Sequence, residues 1–121
     1  DILIKNLKMP VIFLNELSIE QSLLVFDIGS HLLLDGPDNF TRIGIKVHEY
    51  LFAGLPILTN SSAGGAKDLA KKCNALIDAE DIYFDKSKFK NNFLDKVGYI
   101  KRSEISEKYI SYRKSYNSKN I

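Results

Sequence analysis

Ile45-Lys46-Val47-His48-Glu49-Tyr50-Leu51-Phe52-Ala53-Gly54-Leu55-Pro56-Ile57-Leu58 is the stretch that decides the fold of this chain. It reads as a short amphipathic helix, a glycine stop and a proline-led buried strand, with one acidic side chain on the helix. Gly54 falls where a helix C-terminus needs a residue that tolerates positive φ. Pro56 keeps the helix from continuing, and Ile57-Leu58 supplies an apolar run suited to a sheet interior. A helix-to-strand connection of this kind belongs to α/β domains, in which polar groups at helix starts face the ligand edge of the sheet.

Working outward, Pro10 leads the apolar run Val11-Ile12-Phe13-Leu14, a predicted strand. Ser18 with Gln21 forms a capping-box pattern and opens a helix through about residue 26. Residues 28–34 make a second predicted strand, followed by a loop over 35–39. Beyond the central stretch, residues 60–65 form a small-residue loop, 66–72 a helix and 75–77 a short strand. The remainder is predicted helical: Phe89, Phe93, Leu94 and Val97 recur at helical spacing, as do Ile105, Tyr109, Tyr112 and Tyr116. About four strands alternating with helices predict a parallel sheet. That number is small for a complete doubly wound domain, and the chain starts at Asp1, so the expectation is the later portion of a larger unit.

The 121 residues are 45% apolar with a net charge of +2, as in one globular domain. A single cysteine, Cys73, allows no intrachain disulfide and fits a reducing cytoplasm. No apolar run reaches the length of a membrane span, and the opening residues lack the features of a signal peptide. Charge is uneven: residues 1–85 carry 7 Lys/Arg against 12 Asp/Glu, whereas residues 86–121 carry 10 against 3. The basic tail is either a solvated helical face or a contact with anionic lipid at the inner face of the membrane. It has no Arg cluster and no signature for nucleic acid.

Chemistry in such a fold gathers beyond the carboxyl ends of the strands. Residues 35–46 qualify first. Gly44 lets the backbone come close to a ligand, and the amides of Gly44, Ile45 and Lys46 would point toward an anion. Arg42, Lys46 and Glu49 are spaced by four and three, so one helix face would carry all three. Cations near the helix start would neutralise phosphate, and a carboxylate one turn on would accept hydrogen bonds from two neighbouring hydroxyls, as on a ribose. The alternative is a plain surface ion pair between Lys46 and Glu49. The loop Ser61-Ser62-Ala63-Gly64-Gly65 either cradles phosphate or permits tight packing; it lacks the P-loop ending and the three-glycine dinucleotide fingerprint. His31 reads as a core or rim residue, and His48 has no nucleophile in motif context. Lys71-Lys72 would lower the Cys73 pKa, and burial would raise it. No cluster has metal-ligand spacing. Asp35 and Asp38 lack the acidic companions of a phosphoacceptor site.

Taken together, these segments resemble retaining family 4 glycosyltransferases of the GT-B fold. Lys46 to Ile57 resembles that family's K-x-x-E-Y-x-x-x-G-x-P-V block. Val25-Phe26-Asp27-Ile28-Gly29 and Val11 to Ser18 are similar to the strand entries before it. Gly64-Gly65-Ala66-Lys67-Asp68-Leu69 and Asn74-Ala75-Leu76-Ile77 follow in matching order, so the likeness covers about residues 10–80. It implies a Rossmann-like donor domain, with residues 1–85 as its partial core and residues 86–121 as C-terminal helices packing on it or extending from it. Glu49 would hold the nucleotide ribose, and the helix start at Gly44, Ile45 and Lys46 would receive the diphosphate, with Thr41 and Arg42 nearby. The family's Glu-x7-Glu motif would put its first glutamate at Thr41, which cannot act as an anionic anchor for the sugar.

The implied activity is transfer of a sugar from a nucleotide-sugar to a saccharide or lipid-linked acceptor, as in polysaccharide assembly, without a metal or other cofactor. An N-terminal acceptor domain would complete the enzyme, and this chain by itself would be inactive. A non-catalytic α/β module that binds a nucleotide or a partner is the other reading.

Overall fold

The computed structural model describes Ser18, Leu23 and residues 26–119. Three parallel strands make its sheet: β1 (Gly29–His31), β2 (Ile57–Thr59) and β3 (Leu76–Asp78), side by side in that order. Gly29 pairs with Ile57 and His31 with Thr59; Ile57 in turn pairs with Leu76 and Thr59 with Asp78. β2 has a neighbour on both sides, and its Ile57 and Thr59 are fully buried. The strands expected at 57–58 and 75–77 are present. The strand expected at 11–14 and the helix opening at 19–21 lie outside the described residues.

Helices fill the intervals: α1 (Pro37–Thr41), α2 (Ile45–Phe52), α3 (Gly64–Lys72), α4 (Asp81–Phe84), α5 (Lys86–Lys96) and α6 (Tyr99–Lys119). A single 3-10 turn, Ser61–Ala63, leads into α3. The loop expected over 35–39 is partly helix, because Pro37 sits at the first helical position and Asp38 favours the first turn. β1 ends at His31, short of the expected residue 34. Past it, Leu33 turns its N–H and C=O to the Asn60 side chain, at 3.2 and 2.8 Å, so an amide side chain supplies the next rung.

One turn is used twice to reach the sheet. After α2, Gly54 (φ 85°) donates its N–H to Leu51 O and Leu55 donates to Tyr50 O. After α3, Asn74 (φ 54°) and Ala75 donate in the same pattern to Lys71 O and Ala70 O. Both are left-handed helix stops that satisfy the last carbonyls and turn the chain into a strand.

Val47 and Leu51 of α2, Ile57 of β2, Ala66, Leu69 and Ala70 of α3, and Ile105 and Tyr109 of α6 form one buried core. Burying a side chain such as Leu51 or Ile57 contributes about 1.5–3 kcal/mol. The small residues opening α3 are explained by packing. A Cβ on Gly64 would enter the Phe40 ring, and one on Gly65 would lie 2.8 Å from the Thr41 carbonyl.

α6 runs back along α2 in the opposite direction. Arg102 Nε donates to Ala53 O (2.9 Å), Ser106 Oγ to Phe52 O (2.7 Å), and Tyr109 OH meets His48 Nδ1 (2.7 Å). Arg102 also donates to the carbonyls of Phe26 and Leu23, so one guanidinium ties α6 to the end of α2 and to the segment before β1. None of the described helices is long and apolar enough to cross a membrane.

Candidate functional site

The start of α2 lies at the carboxyl edge of the sheet, reached from β1 through α1. Gly44 is its N-cap, with φ 86°, and no side chain caps the helix. Among the described residues the first-turn amides have no backbone acceptor either, so they remain available to an anion. Gly44 has a further reason to be glycine: a Cβ there would sit 3.3 Å from His31 Cε1. His31 Nε2 is buried without a hydrogen-bond partner, and burial holds this imidazole below its ordinary pKa of 6.5.

Ile45 is 78% exposed. The Lys46 and Glu49 side chains are 59% and 30% exposed, and they approach each other to 3.4 Å. The expected alternative, an ion pair, is therefore present. The same contact shows that the carboxylate reaches back over the first turn, as helix side chains tilt toward the N-terminus. The oxygen in that contact is Glu49 Oε2, which is buried and has no hydrogen bond among the described residues, so Lys46 meets it as an ion pair only.

Glu49 also lines a groove of about 480 Å³ between α2 and α6. His48 and Phe52 stand beside it on α2, and Phe52 is 62% exposed. Tyr109, Ile110, Arg113 and Lys114 of α6 form the opposite wall. The Tyr109 hydroxyl fixes the His48 ring, which burial and the nearby Arg113 charge keep below the ordinary imidazole pKa. Burial raises the Tyr109 pKa against the opposing effect of Arg113.

Arg42 and Thr41 do not join this face. The expected helix carrying Arg42, Lys46 and Glu49 together is overturned, because α2 begins at Ile45 and Arg42 is the extended C-cap of α1. Thr41 ends α1, and its hydroxyl donates to Asp38 O at 3.4 Å. Gly44, Ile45, Lys46 and Glu49 are the expected residues that the fold brings together.

The second candidate loop is closed by its own neighbours. The Ser61 N–H donates to a Glu80 carboxylate oxygen, and Ser62 Oγ to Asp35 Oδ1. Lys67 Nζ bridges Ser61 Oγ (3.1 Å) and Asp78 (3.0 Å). A carboxylate already occupies the place a phosphate would take, and the two glycines serve helix packing. Cys73 is fully buried; burial pushes its thiol up to about 11 despite Lys108 and Lys72. No group of three or more His, Cys, Asp or Glu among the described residues is placed to hold a metal ion.

Sequence reasoning missed the α6 wall of the groove. Its signal was the basic balance of residues 86–121, but no periodicity connects position 113 to position 49. Comparisons with protein families, with curated proteins and with solved structures give no match.

Proposed function

We propose that this unit binds the nucleoside diphosphate of an activated sugar, as part of the donor-binding domain of a GT-B glycosyltransferase. Glu49 carries this reading. Its side chain is partly exposed, lines an open groove and, through its contact with Lys46, reaches the uncapped first turn of α2. A carboxylate one helical turn from free amides suits a ribose diol joined to a diphosphate. The groove volume of about 480 Å³ lies within the range of about 300–1,000 Å³ common for small-ligand sites. In transfer, the departing diphosphate gains negative charge, and oriented amides with a cation such as Lys46 would stabilise it without reorganisation.

Calorimetric titration of the full chain with uridine, guanosine and adenosine diphosphates tests the reading. One of them is expected to bind, and Glu49→Gln to weaken that binding by about tenfold or more, the worth of a hydrogen bond to a charged group. Absence of binding to all three, or equal binding by the variant at unchanged fold, overturns it.

A further inference from the structure

The α6 wall places two cations across the groove from Glu49, and neither has an ion-pair partner among the described residues. Their position follows from the antiparallel course of α6. Arg102 is fixed at the end of α2, Ser106 at Phe52 and Tyr109 at His48, so the next turn carries Arg113 and Lys114 toward the first half of α2. Both are exposed. Glu49 pairs with Lys46 on its own helix instead of with either of them, so the opposed charges flank open space.

A groove with an acceptor on one wall, donors on the other and the apolar surfaces of Phe52 and Ile110 in its lining is not a generic cation patch. It matches a ligand carrying hydroxyls, an apolar ring and an anion at one end. We infer that Arg113 and Lys114 bind the phosphates of the nucleotide whose ribose Glu49 receives, making the basic C-terminal helix a wall of the donor site. This inference rests on the donor-binding reading and adds to it two residues from a segment outside the family resemblance. Arg113 presents a planar fork to paired phosphate oxygens, and Lys114 adds a point charge.

Dissociation constants for the nucleoside diphosphate that binds, and for its parent nucleoside, separate the possibilities. They are to be measured on the full chain and on three variants: Glu49→Gln, the pair Arg113→Gln with Lys114→Gln, and the pair Lys86→Gln with Lys90→Gln. The last removes the same charge from exposed positions on α5. The α6 pair is expected to lose about tenfold or more in diphosphate affinity, to keep its nucleoside affinity and to flatten the salt dependence. The α5 pair is expected to bind like the parent. Circular dichroism and thermal midpoints confirm folding, because glutamine is well tolerated in helices.

If the α6 pair binds the diphosphate normally while Glu49→Gln does not, the inference fails and the donor reading stands. If the parent chain binds no diphosphate, both fail. If the α6 pair loses only its attachment to phosphatidylcholine vesicles containing phosphatidylserine, the wall is a membrane contact and the inference is overturned.

Discussion

Gly54 shows how one residue can be half legible. The Gly-x-Pro spacing announces a helix stop with positive φ, and φ is 85° there. The second constraint comes from afar: a Cβ would strike the Arg102 carbonyl, nearly fifty positions along the chain. Gly54→Ala therefore meets both backbone strain and a backbone clash, and is expected to cost at least about 2 kcal/mol. A shift of the urea midpoint with unchanged slope would show it; a shift indistinguishable from zero would refute the account. Gly64 and Gly65 teach the opposite lesson. Their small size was plain, but whether they spared room for phosphate or for protein depended on Phe40 and Thr41, which local sequence does not connect to them. Glu49 was legible as a helix-borne carboxylate, while its place on the wall of a groove closed by α6 depends on three-dimensional packing.

At the scale of elements, α2, β2 and α3 were readable because glycine, proline and apolar spacing mark their ends. α1 was not, since Asp35-Gly36-Pro37-Asp38-Asn39 has loop composition and becomes helical only where Pro37 takes the first helical position. The left-handed stop at Asn74 was also hidden, because asparagine adopts that conformation less obligatorily than glycine. The docking of α6 on α2 depends on Arg102, whose guanidinium serves carbonyls of Ala53, Phe26 and Leu23. A cation at a helix C-terminus also meets the negative end of the helix dipole. Arg102→Met keeps the apolar stem and removes these bonds, so a loss of about 2–4 kcal/mol is expected in urea unfolding. Arg102→Lys should recover only part of it, because an ammonium lacks the planar fork. Full recovery by lysine would mean that charge alone matters.

The whole molecule carries its own pH signature. His31 and His48 are both held below the ordinary value of 6.5, His31 by burial and His48 by burial and then Arg113. As pH falls through 6.5 the unfolded chain takes up protons at these positions before the folded one does. Stability from this source is complete above that pH and declines toward the depressed folded values. Burial pushes the Asp78 carboxyl up, but the Lys67 and Glu80 hydrogen bonds and the Lys67 and Lys88 charges outweigh it and hold it below 3.8. Hydrogen bonds from Ser61 likewise hold the Glu80 carboxyl below 4.5, so a second decline begins as pH drops below 4.5 and continues through the range of Asp78. Urea midpoints across this range should fall in two stages, and His48→Gln should make the first one shallower. An unchanged first stage in that variant would remove His48 from the explanation.

The α/β class and its parallel sheet were readable from alternation and the C-terminal helix from its spacing, whereas the part that helix plays as a wall of the groove was visible only as a charge imbalance. At the carboxyl edge of that sheet one amide group extends the β1–β2 seam beyond the Thr59 hydroxyl bond to His31 O. Asn60 works there because one end of its side chain donates and the other accepts, each toward Leu33. Chemical ageing that strips ammonia from this asparagine would leave the acceptor in place and turn the donor into an anion confronting a carbonyl. One altered atom would then loosen the last rung of that seam, at the end where α2 begins.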